Sequence, residues 1–163
     1  FYSIAGVGHF VSSESFTSIY PPVGTWGLWY LPGSAEFHVA WTGAVELLGG
    51  CGLLLGAVRS ILELDEKEEE KEIDAQQQQQ EDSFVDFLIK WITPTSSMIL
   101  FILTLAVTPA NIYMYTHGAT MGTDGLPLDV SFHYIRFIVQ IIFLSLLWRL
   151  SLDSFFFKWG DEH

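Results

Sequence analysis

Cysteine is almost absent from this chain, and basic residues are scarce. Cys51 stands alone, so neither an intrachain disulfide nor a cysteine-ligated zinc or iron–sulfur site can be built from it. Its simplest reading is a small apolar residue. Seven Lys and Arg face 19 Asp and Glu, for a formal charge of −12. The polar part of the chain is therefore acidic, which argues against a nucleic-acid footprint. A hydrolytic triad, a zinc-helix motif and a phosphate-binding glycine loop are also missing, and the glycines match no dinucleotide fingerprint. These absences argue against an enzyme acting alone.

What is present is hydrophobicity. Mean hydropathy is positive despite the charge, because the charge is localised. From Glu63 to Asp86 there are 11 carboxylates against two lysines, a net of −9, followed and preceded by chain of small net charge. Five consecutive glutamines, 76–80, lie in the same segment. Residues 60–90 read as an acidic, Gln-rich insert within a single membrane domain spanning 1–163. Like charge and low apolar content cannot offset the entropy of ordering, so the insert is expected to be a mobile solvated loop or an exposed helix.

The stretch Phe37–Val58, FHVAWTGAVELLGGCGLLLGAV, holds one ionisable side chain in its apolar interior, Glu46. As a helix rising ~1.5 Å per residue it is long enough to cross the ~30 Å hydrocarbon layer. A soluble core helix would be shorter and carry a polar stripe. Its glycines are expected to thin one side, and Gly52-Leu-Leu-Leu-Gly56 lets a second helix approach closely. Two further spans follow, Ser97–Tyr115, with a kink expected near Thr108 because Pro109 removes a backbone hydrogen bond, and Phe132–Leu152. Residues 1–11 read as the tail of a first helix. The chain opens on Phe1 rather than Met, so an upstream piece, such as a targeting peptide, is expected. The fold class is thus all-α: a membrane helical bundle of three complete spans plus the tail of a first one.

Between these helices, residues 12–36 and 116–131 read as loops. The first carries Pro21, Pro22, Pro32 and several aromatics, the composition of a structured loop at a membrane interface. Phe84–Trp91 is amphipathic and expected to lie along the surface before Pro94, and the C-terminal FFFKWGDEH reads as an interfacial tail. Of the basic residues, Arg59, Lys67, Lys71, Lys90, Arg149 and Lys158 fall on one side of this topology and Arg136 towards the other. By the positive-inside rule the acidic insert and the C-terminus face the cytoplasm, or the stroma or matrix of an organelle.

Three polar residues lie in the outer half of the proposed bundle. Glu46 sits about 13 Å from its helix end, and a bare carboxylate there costs several kcal/mol unless protonated, paired or facing a polar interior. Asn111 and Arg136 each lie one turn inside their helices, and the three meet if those helices are neighbours. Gln140 shares the Arg136 face at i+4, with His133 one turn before it. They read as a satisfied cluster locking the helices together, as a quinone site, as ligands of a pigment or haem, or as a proton relay. For a pigment or haem, His9, His38 and His133 come ahead of Asn111 and Gln140, since neutral imidazole is a good ligand. No metal site beyond that is expected. As a buried pair, Glu46 and Arg136 would couple in stability.

Ala5-Gly6-Val7-Gly8-His9-Phe10 followed by Pro21-Pro22, then Ala44-Val45-Glu46-Leu47-Leu48-Gly49-Gly50, then Thr108-Pro109-Ala110-Asn111-Ile112-Tyr113-Met114, then Leu126-Pro127 ahead of Ile135-Arg136-Phe137 and Gln140, together resemble the DoxX-like family of small four-helix membrane proteins. The resemblance covers most of the chain outside 60–90. It implies a four-helix bundle with an incomplete first helix, keeping the glutamate, asparagine and arginine positions. Some members are associated with the membrane part of a thiosulfate:quinone oxidoreductase. The acidic insert and tail depart from the short bacterial form, and the insert looks eukaryotic.

Two functions are expected from these features. One is a non-catalytic accessory subunit of a larger membrane complex, in the chloroplast thylakoid of a eukaryotic alga. There it would bridge a photosystem and its antenna, hold chlorophyll or carotenoid, and keep its acidic loop and C-terminus on the stromal side. The alternative is a membrane subunit of a quinone-linked oxidoreductase, with Glu46, Asn111 and Arg136 around the quinone head group. Either way the partners are the lipid bilayer and other subunits of a photosynthetic or respiratory complex, not nucleic acid.

Overall fold

A backbone placed in hydrocarbon must satisfy its N–H and C=O groups within one segment, and the long apolar stretches of this chain do so as helices. The computed structural model describes the backbone of residues 1–70, 84–121 and 129–160, and the side chains of 1–62, 91–121 and 129–152. Among these residues every regular element is helical: α1 (Tyr2–Val11), α2 (Ser13–Thr17), a 3-10 turn (Thr25–Gly27), α3 (Ala35–Glu70), α4 (Phe84–Ala106), α5 (Thr108–His117) and α6 (Val130–Gly160). Three segments are long and apolar enough to cross a membrane: Ala35–Leu62, Trp91–His117 across α4 and α5, and Val130–Leu152. The all-α membrane bundle read from the sequence is the observed architecture. The glutamine run 76–80 and most of the second loop, 122–128, lie outside the described residues.

The helices pack in chain order, α1 on α3, α3 on α4 and α4 on α6. On the fourth side, α1 meets α6 where Phe143 stacks on Phe1 at a centroid distance of 4.9 Å and tilts against Tyr2 at 5.7 Å. The glycines of α3 explain how one helix serves two neighbours. They do not lie on a single side: Gly43 and Gly50, seven residues apart, face α1, whereas Gly49, Gly52 and Gly56 face α4. At 100° per residue, positions 49 and 50 point in directions a quarter-turn apart, so consecutive glycines open two faces. Across the first face, a Cβ on Gly6 would stand 2.5 Å from the Leu47 nitrogen, a backbone approach that only glycine permits. Against the second lie Leu100, Ser96 and Thr93.

The segment before Pro94 is not a separate surface helix. It is the first part of α4, which runs through Pro94 without a break. Pro94 is fully buried and begins a stripe continued by Ser97, Leu100 and Thr104, and its carbonyl accepts a 3.0 Å hydrogen bond from the Ser97 hydroxyl. Packing of that stripe offsets the missing N–H. The expected kink at Pro109 does appear. α4 ends at Ala106, Val107 takes φ −86° and ψ −5°, and α5 restarts with proline in its first turn. α3 continues past the membrane span into the acidic residues as far as Glu70, and α6 continues past Leu152 to Gly160, through most of the segment read as an interfacial tail.

The first loop is ordered, as its prolines and aromatics suggest. Ile19 and Pro21 are buried beneath it, the Ser18 hydroxyl donates to the Thr120 carbonyl at 2.7 Å, and Trp26 lies edge-on to Tyr113 and His117 of α5. Trp26 holds φ +57°, a left-handed conformation unusual for a bulky side chain. The loop thus covers one end of the bundle, the end where α1 and α5 finish and α3 and α6 begin.

Candidate functional site

Under that loop, between α1, α3, α5 and α6, lies a cavity of about 560 Å³. It exists because α1 and α6 come together at Phe143 and leave space towards the loop end. Its wall is largely apolar and aromatic, with Phe16, Trp29, Trp41 and Phe143 among the lining residues. His9, His38, Glu46, Asn111, Arg136 and Gln140 also line it, which brings six of the seven sequence-predicted residues to one place. His133 is not among them. It sits half-buried on α6 between the rings of Tyr115 and Phe132.

The polar groups fall into two sets. In the first, Gln140 ties three helices together: its amide nitrogen donates to the Thr108 hydroxyl at 2.7 Å and the Thr104 carbonyl at 3.2 Å, and its oxygen accepts from Asn111 at 2.8 Å. Thr104 also pairs with the Tyr2 hydroxyl at 2.9 Å, and the Thr108 hydroxyl donates to the Thr104 carbonyl at 3.0 Å. The break between α4 and α5 leaves the Thr104 carbonyl open to these partners. Gln140 thereby uses both donors and its oxygen.

The second set is less complete. Glu46 and Arg136 do not form the expected pair. The carboxylate lies 3.6 Å from His9 Nε2, and Arg136 Nη1 donates to the sulfur of Met114 at 2.7 Å. The reason is helix adjacency. Glu46 lies between Gly43 and Gly50 on the face of α3 closest to α1, which carries His9, whereas Arg136 belongs to α6 across the cavity. His9 Nδ1 lies 2.9 Å from the Val39 carbonyl, with the Thr42 hydroxyl at 3.3 Å. A carbonyl only accepts, so Nδ1 carries a proton and Nε2 is the nitrogen turned to Glu46. Glu46 Oε2 is buried without a hydrogen-bond partner.

His38 has both ring nitrogens engaged, Nε2 at 2.8 Å from the Pro32 carbonyl and Nδ1 accepting from the Trp41 indole at 3.0 Å. Tyr20 stacks on its ring at 5.4 Å. Burial pushes the Tyr20 phenol above its ordinary value, and its hydroxyl, like the Trp29 indole nitrogen, is covered by protein without a partner. No cluster of three or more metal-ligating side chains occurs among the described residues.

Sequence reading missed the threonines. Thr42, Thr104 and Thr108 look like ordinary membrane-helix residues, yet they supply half of the partners of His9 and Gln140. Met114 as the Arg136 partner also left no signal. The His9–Glu46 pairing did leave one, since Glu46 shares a helix face with the glycines that mark the closest neighbour. Comparison of the chain with protein-family models, with curated proteins and with solved structures finds no match.

Proposed function

We propose that this chain is a membrane subunit that holds a lipid-dissolved amphipathic molecule of the quinone type, serving a quinone-linked oxidoreductase. One observation carries the reading: Glu46, Asn111 and Arg136 face a single largely apolar cavity of about 560 Å³, a size and polarity suited to an aromatic head group. A ring stacks among Phe16, Trp41 and Phe143 while its oxygens meet the polar side chains. The relation to DoxX-like proteins belongs to the same proposal. It is supported by the way the motifs around His9, Glu46, Asn111 and Arg136, far apart in sequence, converge on that cavity. The test is binding of a short-chain 1,4-benzoquinone to the detergent-solubilised protein, followed through tryptophan fluorescence. Saturable quenching that Arg136→Leu weakens is expected, and folded protein that binds no quinone would end the reading.

A second reading is an accessory subunit of a thylakoid photosystem–antenna complex, with the acidic segment on the stromal side. It draws on the exposed apolar faces of α6, including Ile135, Phe137, Ile138 and Ile142, which suit lipid or a neighbouring subunit. For chlorophyll ligation the occupied nitrogens of His38 make the half-buried His133 the better histidine of the two. Carotenoid would need only the apolar faces. Isolation from native membranes, with identification of partners and an absorption spectrum, separates this reading from the first.

A further inference from the structure

We propose that the cavity is entered sideways from the bilayer through a slot between α1 and α6, and that its ligand carries a long hydrocarbon chain, which lies in that slot while the ring is held inside. This rests on the quinone-type reading and adds the route and the chain. It follows from which helices pack and which only touch.

Around the bundle, α1 on α3, α3 on α4 and α4 on α6 pack extensively, whereas α1 meets α6 through the rings of Phe1, Tyr2 and Phe143. Those rings close one level of that side. Ala5 lies four residues from Phe1 towards the loop end, and Val139 four residues from Phe143 in the same direction, so both stand about 6 Å above the rings. Both line the cavity. On α1, Gly6 faces α3, and Ala5, turned about 100° from it, borders the cavity on the side away from α3. On α6, Gln140 faces α4 and α5 through its hydrogen bonds, and Val139 is turned about 100° from it, with Arg136 and Phe143 between them. The two edges therefore face one another across the level that the rings leave open.

The depth of this opening decides what it meets. Val139 is 40% exposed and stands nine residues inside the span Val130–Leu152, about 14 Å from its start, where the surroundings are acyl chains rather than water. Polarity is graded along the same path: Gln140, Asn111 and Glu46 lie inside, while Ala5, Val139 and Phe143 at the mouth are apolar, so a chain lying there strands no polar group. The other way out runs under the first loop, where Leu31 and Trp41 line the cavity and are exposed in part. That end is tied down by Ser18 on Thr120 and by Trp26 on the rings of α5, and it covers the Tyr20 hydroxyl and the Trp29 indole nitrogen. A hydrocarbon chain is directed to the slot.

The test uses the whole chain in phospholipid nanodiscs and a 1,4-benzoquinone bearing a decyl chain with a photoreactive diazirine, the labelled peptides being identified by mass spectrometry. Label on α1 around Ala5 and on α6 around Val139, lost when excess unlabelled decyl compound competes, is expected. Competed label on Leu31 or Trp41 instead, or label that competition leaves unchanged although tryptophan quenching saturates, overturns the slot and leaves the quinone-type reading intact. Folded protein that shows no saturable quenching removes both. In Ala5→Leu and Val139→Phe the tailed ring should lose affinity about tenfold more than the ring without a tail, the low end of what overpacking costs. Equal losses overturn the slot, and the wild-type label decides even if neither variant folds.

Discussion

Two polar groups share the loop end of this bundle and differ in completeness. Around Gln140, every polar atom of the side chain has a protein partner, drawn from α4 and α5. Around the cavity, Glu46 Oε2 has no hydrogen bond, its charge partner stands at 3.6 Å, and Arg136 reaches a thioether. The first arrangement is what holds helices together where water is excluded. The second leaves a buried oxygen unpaired, at a cost in stability, and the proposed binding role rests on that contrast. Polarity inside a membrane bundle is not by itself a sign of function; unspent hydrogen-bonding capacity is the better guide.

The sharpest way to break that contrast is Gln140→Leu. It strands Asn111 and reduces the partners of the Thr104 carbonyl, and should cost about 2–3 kcal/mol of stability. Thermal unfolding in detergent measures it, and a loss no greater than that of Arg136→Leu would erase the distinction. Next in size is His9→Leu, which removes the group facing Glu46 and should cost about 1–2 kcal/mol. Because the two residues are neighbours, a His9→Leu, Glu46→Gln double variant should be less destabilised than the sum of the singles, by about 1 kcal/mol. Strict additivity there would mean that the 3.6 Å approach carries no energy.

The Glu46→Gln, Arg136→Leu cycle should behave in the opposite way. No ion pair joins these residues, so their losses should add within about 0.5 kcal/mol in the same assay. A larger coupling would restore the direct pair expected from sequence. The smallest effect concerns Asp129, at the start of α6 and outside the spans. Hydrogen bonding to Ser131 holds its carboxyl below the usual aspartate range. Since the folded value is the lower one, the cap contributes fully above about pH 4 and fades as the pH falls below it. Asp129→Ala should therefore lower the unfolding midpoint slightly at pH 7 and not at pH 3, and an equal shift at both would rule out the charged cap.

The two regions also differ in how far the sequence revealed them. The spans were legible because length and apolarity alone decide whether a helix can cross a bilayer, and Pro109 announced the break after Ala106 because a missing N–H acts locally. Glu46, Asn111 and Arg136 stood out because ionisable and amide groups are costly in such segments. Their partners did not, because partnership depends on which helices touch. The split of the α3 glycines over two faces brings α1 to one side and α4 to the other, and that choice gives Glu46 to His9 rather than to Arg136. The continuity of α4 through Pro94 was likewise decided by packing, since burial of the ring outweighed the local preference for a break. Sequence determined what each segment could be, through forces that act within a few residues; the tertiary structure alone determined which polar groups become partners, because that depends on contacts between residues tens of positions apart.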